Sequence, residues 1–368
     1  MAYLLSLPAA MVVAACASGV SGPLPVRGTL VSGYVQSLDG RPVRGAAVQV
    51  ASGGTGVTDA RGRFAIPNVR PDERAAIWVT SDSFVTASAA YPVRSGYETV
   101  ANFDLIPRTP PRPLDASRGG RVPMGSGGWV EIEPGSLVNT AGQAVQGDVL
   151  VSVTYIDPAD PRQVRAAPGN YTAVDSLGRM QLLRTFGMAD IRAVDGAGRE
   201  LRLAPGRTAA LEWPRVDGGD QGALFRLASG GDWQVTGGVR GPIGNFGTWN
   251  FDSWWSYACL EVGVVPKTVG LMVHAHGPGW DTSAATDGNG TAMIPVEPGA
   301  QVTLYTTSDR PNKVITVTSG PVGSSISTPI SCPTDGGVTH ALLSVALLPP
   351  TGTGTLSYRA AGLYSLAH

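Results

Sequence analysis

A ten-residue pattern occurs twice in this chain and constrains its fold more than any other feature of the sequence. Residues Thr58–Pro67 read TDARGRFAIP, and residues Thr286–Pro295 read TDGNGTAMIP. In both copies Thr-Asp begins a turn, a Gly four residues after the Thr suits a backbone of positive φ, and an apolar strand follows that ends at Pro. A spacing of about 230 residues is too long for a solenoid repeat, so the pattern predicts two copies of one small β-module.

Composition supports an all-β chain with several domains. The 368 residues include 49 Gly and 29 Pro, yet 43% of them are hydrophobic and only 15% are charged. Such a chain has enough apolar residues for packed cores, so the Gly and Pro are best explained as turns between many short strands. A net charge of −1 argues against nucleic acid as a partner.

The N-terminus predicts export. Residues 1–15 are apolar, and Val13-Ala14-Ala15-Cys16 is typical of a bacterial lipoprotein signal that ends at a lipidated Cys16. The apolar run is too short to span a bilayer. No Lys or Arg precedes it, which leaves open a start further upstream or an ordinary signal cleaved near residue 17 or 18. Residues 17–27 would form a flexible tether from the membrane, and the expected location is the bacterial envelope, anchored in the outer membrane on either face.

The two remaining cysteines flank the second copy of the pattern. Cys259 and Cys332 predict a disulfide if the chain reaches an oxidising compartment, and the alternative is two unrelated buried thiols. Neither has a second Cys or a His at the spacing of a zinc site.

Residues 28–107 predict a first all-β domain. Ala46, Val48 and Val50 alternate toward a core, and Gln49 points outward. A distinctive set of segments runs through this domain: Gly33-Tyr34-Val35, Asp39-Gly40-Arg41-Pro42-Val43-Arg44-Gly45-Ala46, Val48-Gln49-Val50, Thr58-Asp59 and Gly62-Arg63-Phe64 with Ile66. In these segments the domain resembles the carboxypeptidase regulatory-like family, which implies a transthyretin-like sandwich of about seven strands without peptidase activity of its own.

A Pro-rich stretch, 108–120, predicts a semi-rigid linker to a second β-rich domain over 121–257. Its characteristic segments are Trp129–Glu133, Pro134-Gly135-Ser136-Leu137, Gly147-Asp148-Val149, Thr185–Ile191, Leu203-Ala204-Pro205-Gly206 and Ala223–Leu227 with Gly231-Asp232-Trp233. In these segments the domain is similar to regions of cartilage intermediate layer proteins and astroprincins, which implies a ZU5-like sandwich of extracellular type.

Residues 258–348 predict a third domain that is a weaker relative of the first. Leu271, Val273 and Ala275 align with the inward positions of the first domain, which directs His274 and His276 to the outer face. Residues 349–368 form a C-terminal tail. The predicted fold is therefore three consecutive β-sandwich modules: transthyretin- or Ig-like, ZU5-like and transthyretin-like.

The junction between the second and third domains is rich in aromatic residues. Trp249, Trp254, Trp255 and Tyr257 could form a platform on which a carbohydrate stacks. The favoured alternative is a wedge packed between the two domains, with Asn250 and Asp252 making hydrogen bonds in turns.

His274 and His276 are the one candidate metal pair, with Asp281 nearby. A solvated strand face is the preferred interpretation, and no cofactor is expected. We find no convergent catalytic set in the sequence. The leading hypothesis is a non-enzymatic envelope lipoprotein for binding or structural support, with an envelope protein or polysaccharide as partner. The alternatives are a carbohydrate-binding surface protein that uses the aromatic stretch, and a hydrolase of unrecognised type.

Overall fold

In the structure, a computed structural model, nearly all the regular secondary structure of the described residues is β-strand. The structure describes residues 28–125, 127–174, 180–214, 222–228, 231–237, 242–255, 257–265, 267–306, 315–318, 338–347 and 358–360. Cys16, Cys332, the tether and most of the tail therefore lie outside the described residues. Among the described residues, no helix has the length and apolar character that crossing a membrane requires.

The first module is a sandwich of two four-stranded sheets. One sheet has the order β4-β1-β7 with β8 also beside β1, and the other has the order β3-β2-β5-β6. Ala46, Val48 and Val50 are buried between the sheets, as predicted, and Gln49 is exposed. The strands are β1 (Leu30–Ser37), β2 (Ala47–Val50), β3 (Thr55–Val57), β4 (Arg63–Pro67), β5 (Asp72–Thr80), β6 (Ala87–Val93), β7 (Glu98–Val100) and β8 (Phe103–Leu105).

The middle module contains a four-stranded sheet, β10-β11-β17-β20, and a nine-stranded sheet that holds its remaining strands. One short helix in the described part, α1 (Pro161–Ala166), follows β13. The strands are β9 (Arg112–Asp115), β10 (Gly120–Gly125), β11 (Gly128–Ile132), β12 (Leu137–Val138), β13 (Asp148–Ile156), β14 (Thr172–Val174), β15 (Met180–Val194), β16 (Glu200–Leu203), β17 (Ala209–Glu212), β18 (Ala223–Leu227), β19 (Trp233–Gly237), β20 (Pro242–Ile243) and β21 (Gly247–Trp255).

The prediction of a linker at 108–120 is wrong for part of that stretch. Residues 112–115 form β9, which pairs antiparallel with β13, and β10 begins at Gly120. Pro113 is tolerated because β9 pairs with β13 alone among the described strands, and an edge strand can lack one amide donor. The Pro-rich stretch is thus built into the middle module.

The third module repeats the strand order of the first. One sheet has the order β25-β22-β28-β29 and the other β24-β23-β26-β27, and β22 runs parallel to β28 as β1 does to β7 and β8. The strands are β22 (Ala258–Val265), β23 (Met272–Gly277), β24 (Trp280–Ala285), β25 (Thr291–Val296), β26 (Gln301–Thr306), β27 (Ile315–Thr318), β28 (Val338–Leu347) and β29 (Tyr358–Ala360). The predicted fold class, all-β with consecutive sandwich modules, is confirmed.

The three modules pack against one another through a continuous apolar cluster. This shared core contains Val85 and Ile106 from the first module, Val164 and Trp233 from the middle module, and Trp280 with its neighbours from the third. Because side chains of all three modules are buried in one cluster, their separation would expose apolar surface to water.

Candidate functional site

The two copies of the Thr-Asp pattern form the same turn. Thr58 Oγ1 accepts from Ala46 N at 2.9 Å and donates to Val43 O at 2.7 Å. Thr286 Oγ1 accepts from Leu271 N at 3.0 Å and donates to Thr268 O at 2.5 Å. The alignment of Leu271 with Ala46 is therefore confirmed by equivalent hydrogen bonds.

The Asp of each copy satisfies the backbone of its own turn. Asp59 Oδ1 accepts from the amides of Arg61 and Arg63, each at 2.8 Å. Asp287 makes the equivalent pair of bonds to residues 289 and 291, and Asp195 makes them in the middle module. These amide donors stabilise the carboxylate, and the pKa of Asp59 is lowered. The pattern therefore specifies a turn, and its Asp carboxylates accept hydrogen bonds from the backbone of that turn.

The aromatic stretch lies inside the protein rather than on its surface. Trp249 is only 3% exposed and Tyr257 5%, and Trp254 is partly buried against the shared core with its ring 4.8 Å from that of Phe225. The side chain of Trp255 lies outside the described residues. A carbohydrate platform at this stretch is therefore wrong for Trp249 and Tyr257, whose rings cannot meet a ligand. The burial follows from β21 pairing on both sides, with β15 and β18.

Asn250 and Asp252 do not make the predicted turn hydrogen bonds. Both are fully buried on β21, where Asn250 Nδ2 donates to Asp252 Oδ2 at 2.6 Å and Thr185 Oγ1 donates to Asn250 Oδ1 at 2.6 Å. Asp252 Oδ1 is buried without a hydrogen-bond partner in the described part of the chain. Burial raises the pKa of Asp252 well above its usual value, although the Thr185 hydroxyl opposes the shift. Burial therefore favours the neutral form of this carboxyl group.

His274 and His276 form a buried cluster with Asp281 instead of a solvated strand face. His274 Nδ1 lies 3.1 Å from Asp281 Oδ1, and His276 Nδ1 lies 3.4 Å from Oδ2. Tyr305 donates its hydroxyl to Oδ2 at 2.7 Å, and its ring stacks on His274 at 4.7 Å between centroids. The two imidazole side chains are only 17% and 13% exposed. The prediction of a solvated face was wrong because α1 packs against β24 beside them, with Arg165 lying 5.7 Å from the Tyr305 ring.

The charge state of this cluster follows from its contacts. Burial acts to raise the pKa of Asp281, but hydrogen bonds and charge interactions with His274 and His276 outweigh it, and the pKa is lowered. The carboxylate is therefore ionised while Tyr305 and the two rings surround it. Within the described ranges, no group of three or more His, Cys, Asp or Glu is arranged to hold a metal ion. The weak metal candidate at His274 and His276 gains no support from this geometry.

Ion pairs cross between the modules around the shared core. Arg108, directly after the first module, pairs with Asp190 of the middle module, and the two side chains are 11% and 6% exposed. It also donates to Phe84 O of the first module at 2.8 Å, so it links the two modules. Arg74 binds Asp232 with both terminal nitrogens, and Arg184 lies 3.5 Å from Glu297 of the third module. The buried pair of Arg108 and Asp190 is costly to break one partner at a time, so it helps to fix how the modules meet. The pair of Arg74 and Asp232 is 40% and 33% exposed and contributes less to stability.

One surface feature was missed by the sequence analysis. Trp78 of β5 lies half-buried on the outer face of the sheet β3-β2-β5-β6, beside a groove of about 330 Å³. The sequence did indicate this position. Side chains alternate between the two faces of a strand, and Ile77 and Val79 are buried, so Trp78 between them faces outward. It was overlooked because a single Trp is less conspicuous than the cluster near residue 250.

The cysteine predictions remain predictions. Cys259 is buried beside Leu182, Tyr257 and Met293, a position that suits either half of a disulfide or a thiol. Its predicted partner Cys332 and the predicted lipidation site Cys16 both lie outside the described residues.

Comparison with known proteins agrees with the resemblances found in the sequence. Residues 30–106 match the family described as "Carboxypeptidase regulatory-like domain". Cartilage intermediate layer protein 2 of Mus musculus is 33% identical over 216 residues, which are 56% of this chain and 18% of that protein. The Homo sapiens protein of the same name is 30% identical over 206 residues, 53% of this chain and 18% of that protein. Both predicted resemblances are thus confirmed, and this chain covers less than a fifth of the relatives' length.

Solved structures give weaker likenesses. BcpA, the major pilin subunit of Bacillus cereus, is 10% identical with a TM-score of 0.19, over 86% of this chain and 99% of that one. The major pilin SpaD of Corynebacterium diphtheriae is 9% identical with a TM-score of 0.21, over 79% and 91%. At such scores neither structure bears on the function of this chain.

Proposed function

We propose that this chain is a non-catalytic, exported β-sandwich protein that binds or supports components of a bacterial cell envelope. The observation that carries the proposal is the shared core of the three modules, closed by the buried pair of Arg108 and Asp190. A rigid unit of this kind presents fixed surfaces to a partner. The candidate polar residues of the sequence stabilise the fold: Asp59 and Asp287 bond to the backbone of their turns, and Asp281 contacts His274 across two strands.

The comparisons support a non-catalytic role. The family matched by residues 30–106 is described as regulatory-like, and the matched relatives are named for a layer of cartilage. A structural or binding protein fits both descriptions. The predicted export signal and the predicted disulfide between Cys259 and Cys332 both fit an oxidising compartment, and lipid on Cys16 would anchor the chain to the outer membrane.

The hydrolase alternative has one observation in its favour. His274 Nδ1 contacts a buried carboxylate, as the base of a catalytic triad does. However, His274 Nε2 is buried and bonds to no hydroxyl nucleophile in the part of the chain that the structure describes. Tyr305 also donates a hydrogen bond to the Asp281 carboxylate, so the cluster is better explained as a set of contacts that stabilises the pairing of β23, β24 and β26.

Two experiments test the proposal with the full chain in a Gram-negative host. Mass spectrometry of the isolated protein should show acyl chains on Cys16, and Cys16→Ser should move the protein from the membrane fraction to the soluble fraction. Ser18→Ala is the matched control and should leave the protein membrane-bound. A free N-terminus at residue 17 or 18 would contradict the lipid anchor.

Binding is tested by co-sedimentation of the full chain with purified cell-wall sacculi and with outer-membrane vesicles. We expect the protein to sediment with at least one of them in a saturable manner. Failure to bind either component would contradict a role in the envelope.

A further inference from the structure

The repeat of the module allows one sheet face to be compared with its counterpart. In the first module Gln49 of β2 lies opposite Trp78 of β5, and in the third module His274 of β23 lies opposite Tyr305 of β26. The two strand pairs occupy the same places in their sheets. An aromatic ring therefore stands at the same position on the outer face of both modules.

The two faces differ in what covers the ring. In the third module His274 stacks on Tyr305 with an angle of 17° between the rings, and Arg165 approaches from the middle module. In the first module the residues around Trp78 face outward: Ala47, Gln49 and Thr80 are exposed, and Val57 is 65% exposed. The position that is covered within the chain in one copy is accessible in the other.

The groove beside Trp78 has the size and lining of a small-ligand site. Its volume of about 330 Å³ lies within the range of such sites. All the residues that line it are uncharged, and they combine the indole ring and Val57 with the amide of Gln49 and the hydroxyls of Thr55 and Thr80. An uncharged lining gives no electrostatic attraction to a nucleic acid or an acidic polymer.

A ligand that matches this lining needs one apolar face and several uncharged hydrogen-bonding groups. The faces of a sugar ring carry C–H groups that can lie against an indole, and its hydroxyls bond to amides and hydroxyls. We propose that this groove binds a neutral oligosaccharide, with one sugar ring stacked on Trp78 and its hydroxyls bonded to Gln49, Thr55 and Thr80. The inference rests on the proposed binding role and names the class of ligand.

The test is isothermal titration calorimetry of the full chain with three neutral probes: maltohexaose, cellohexaose and N-acetylchitohexaose. We expect at least one of them to bind. Trp78→Ala should weaken that binding by at least about tenfold, since truncating a central Trp of a binding site commonly costs this much. Trp78→Phe keeps a ring and should lose less.

The matched control is Val100→Ala, which trims an exposed apolar side chain on the opposite sheet of the same module and should not change binding. The circular dichroism of each variant should equal that of the parent protein, which excludes unfolding as the cause of any loss.

Three outcomes would overturn the inference: no neutral hexaose binds, Trp78→Ala binds as well as the parent, or heparin binds through Trp78 in place of the neutral probes. The first two leave the proposed function standing if the chain still sediments with sacculi or vesicles. If sedimentation also fails, both proposals fall.

Discussion

At the scale of a residue, two buried carboxyl groups show that the neighbouring side chains determine the direction in which a pKa shifts. Asp252 and Asp281 are both buried on strands, yet the pKa of Asp252 is raised and that of Asp281 is lowered. Asp252 meets an amide and a hydroxyl network, whereas Asp281 meets two imidazoles and a phenol. A partner that carries or accepts positive charge offsets the cost of burying a carboxylate, and an uncharged partner does not.

Asp252→Asn is expected to stabilise the protein at neutral pH. The raised pKa means that the folded state holds a proton that the unfolded state loses above about pH 4, so Asp252 costs stability progressively as the pH rises from there. The variant carries no such cost, and its free energy of unfolding at pH 7 should exceed that of the parent by about 1–3 kcal/mol. Urea denaturation at pH 7 and at pH 4 measures the difference.

The gain from Asp252→Asn should be much smaller at pH 4, where the folded state is protonated and about half of the unfolded chains also carry the proton. A variant that is equally destabilised at both pH values would show that the carboxyl group is held by a bond that the amide cannot replace.

The sequence allowed part of this to be predicted. A period of two placed His274 and His276 on one face and indicated Asp281 as their neighbour, which the structure confirms. The burial of that face could not be predicted, because α1, which packs against β24 beside it, is more than 100 residues away in the sequence.

At the scale of an element, the turn motif was the most predictable part of the fold. Thr, Asp and Gly have strong local preferences, and the structure uses them in the expected way at Thr58–Pro67 and Thr286–Pro295. The Pro-rich stretch 108–120 was predicted less well. Proline does favour an extended backbone there, but pairing of β9 with β13 depends on a strand more than 30 residues later.

Gly62→Ala should destabilise the first module more than Gly40→Ala. Gly62 has φ of +74°, and a Cβ there would lie 2.3 Å from the carbonyl oxygen of Val35, so the backbone must shift. Gly40 has φ of +81° but has no heavy atom within 4 Å of the added Cβ among the described residues. We expect a loss of about 3 kcal/mol or more at Gly62 and about 1 kcal/mol at Gly40.

Chemical denaturation of the two variants, followed by far-ultraviolet circular dichroism, measures this difference. Equal losses would mean that the positive φ alone sets the cost and that the turn relaxes around the new methyl group.

At the scale of the whole molecule, the sequence predicted the modules but not their arrangement. The similarity between modules and their approximate bounds follow from local patterns. The shared core cannot be predicted in this way. Val85, Trp233 and Trp280 come from three different modules, and no local pattern around any of them indicates that they pack in one cluster. The aromatic stretch illustrates this limit: its density left a binding platform and the favoured packed wedge both open, and the pairing of β21 with β15 and β18 decides between them for Trp249.

This arrangement directs the search for function to the faces that remain open. The outer face of the third module is covered, and the equivalent face of the first module, with Trp78, is accessible.

Scanning calorimetry of the full chain tests the central claim that the three modules form one unit. Because Arg108–Asp190 and the shared core join the modules, the protein should unfold in a single transition, with a calorimetric enthalpy about equal to the van't Hoff enthalpy. Two or three separate transitions, with a van't Hoff enthalpy well below the calorimetric value, would show that the modules unfold independently and would contradict the account.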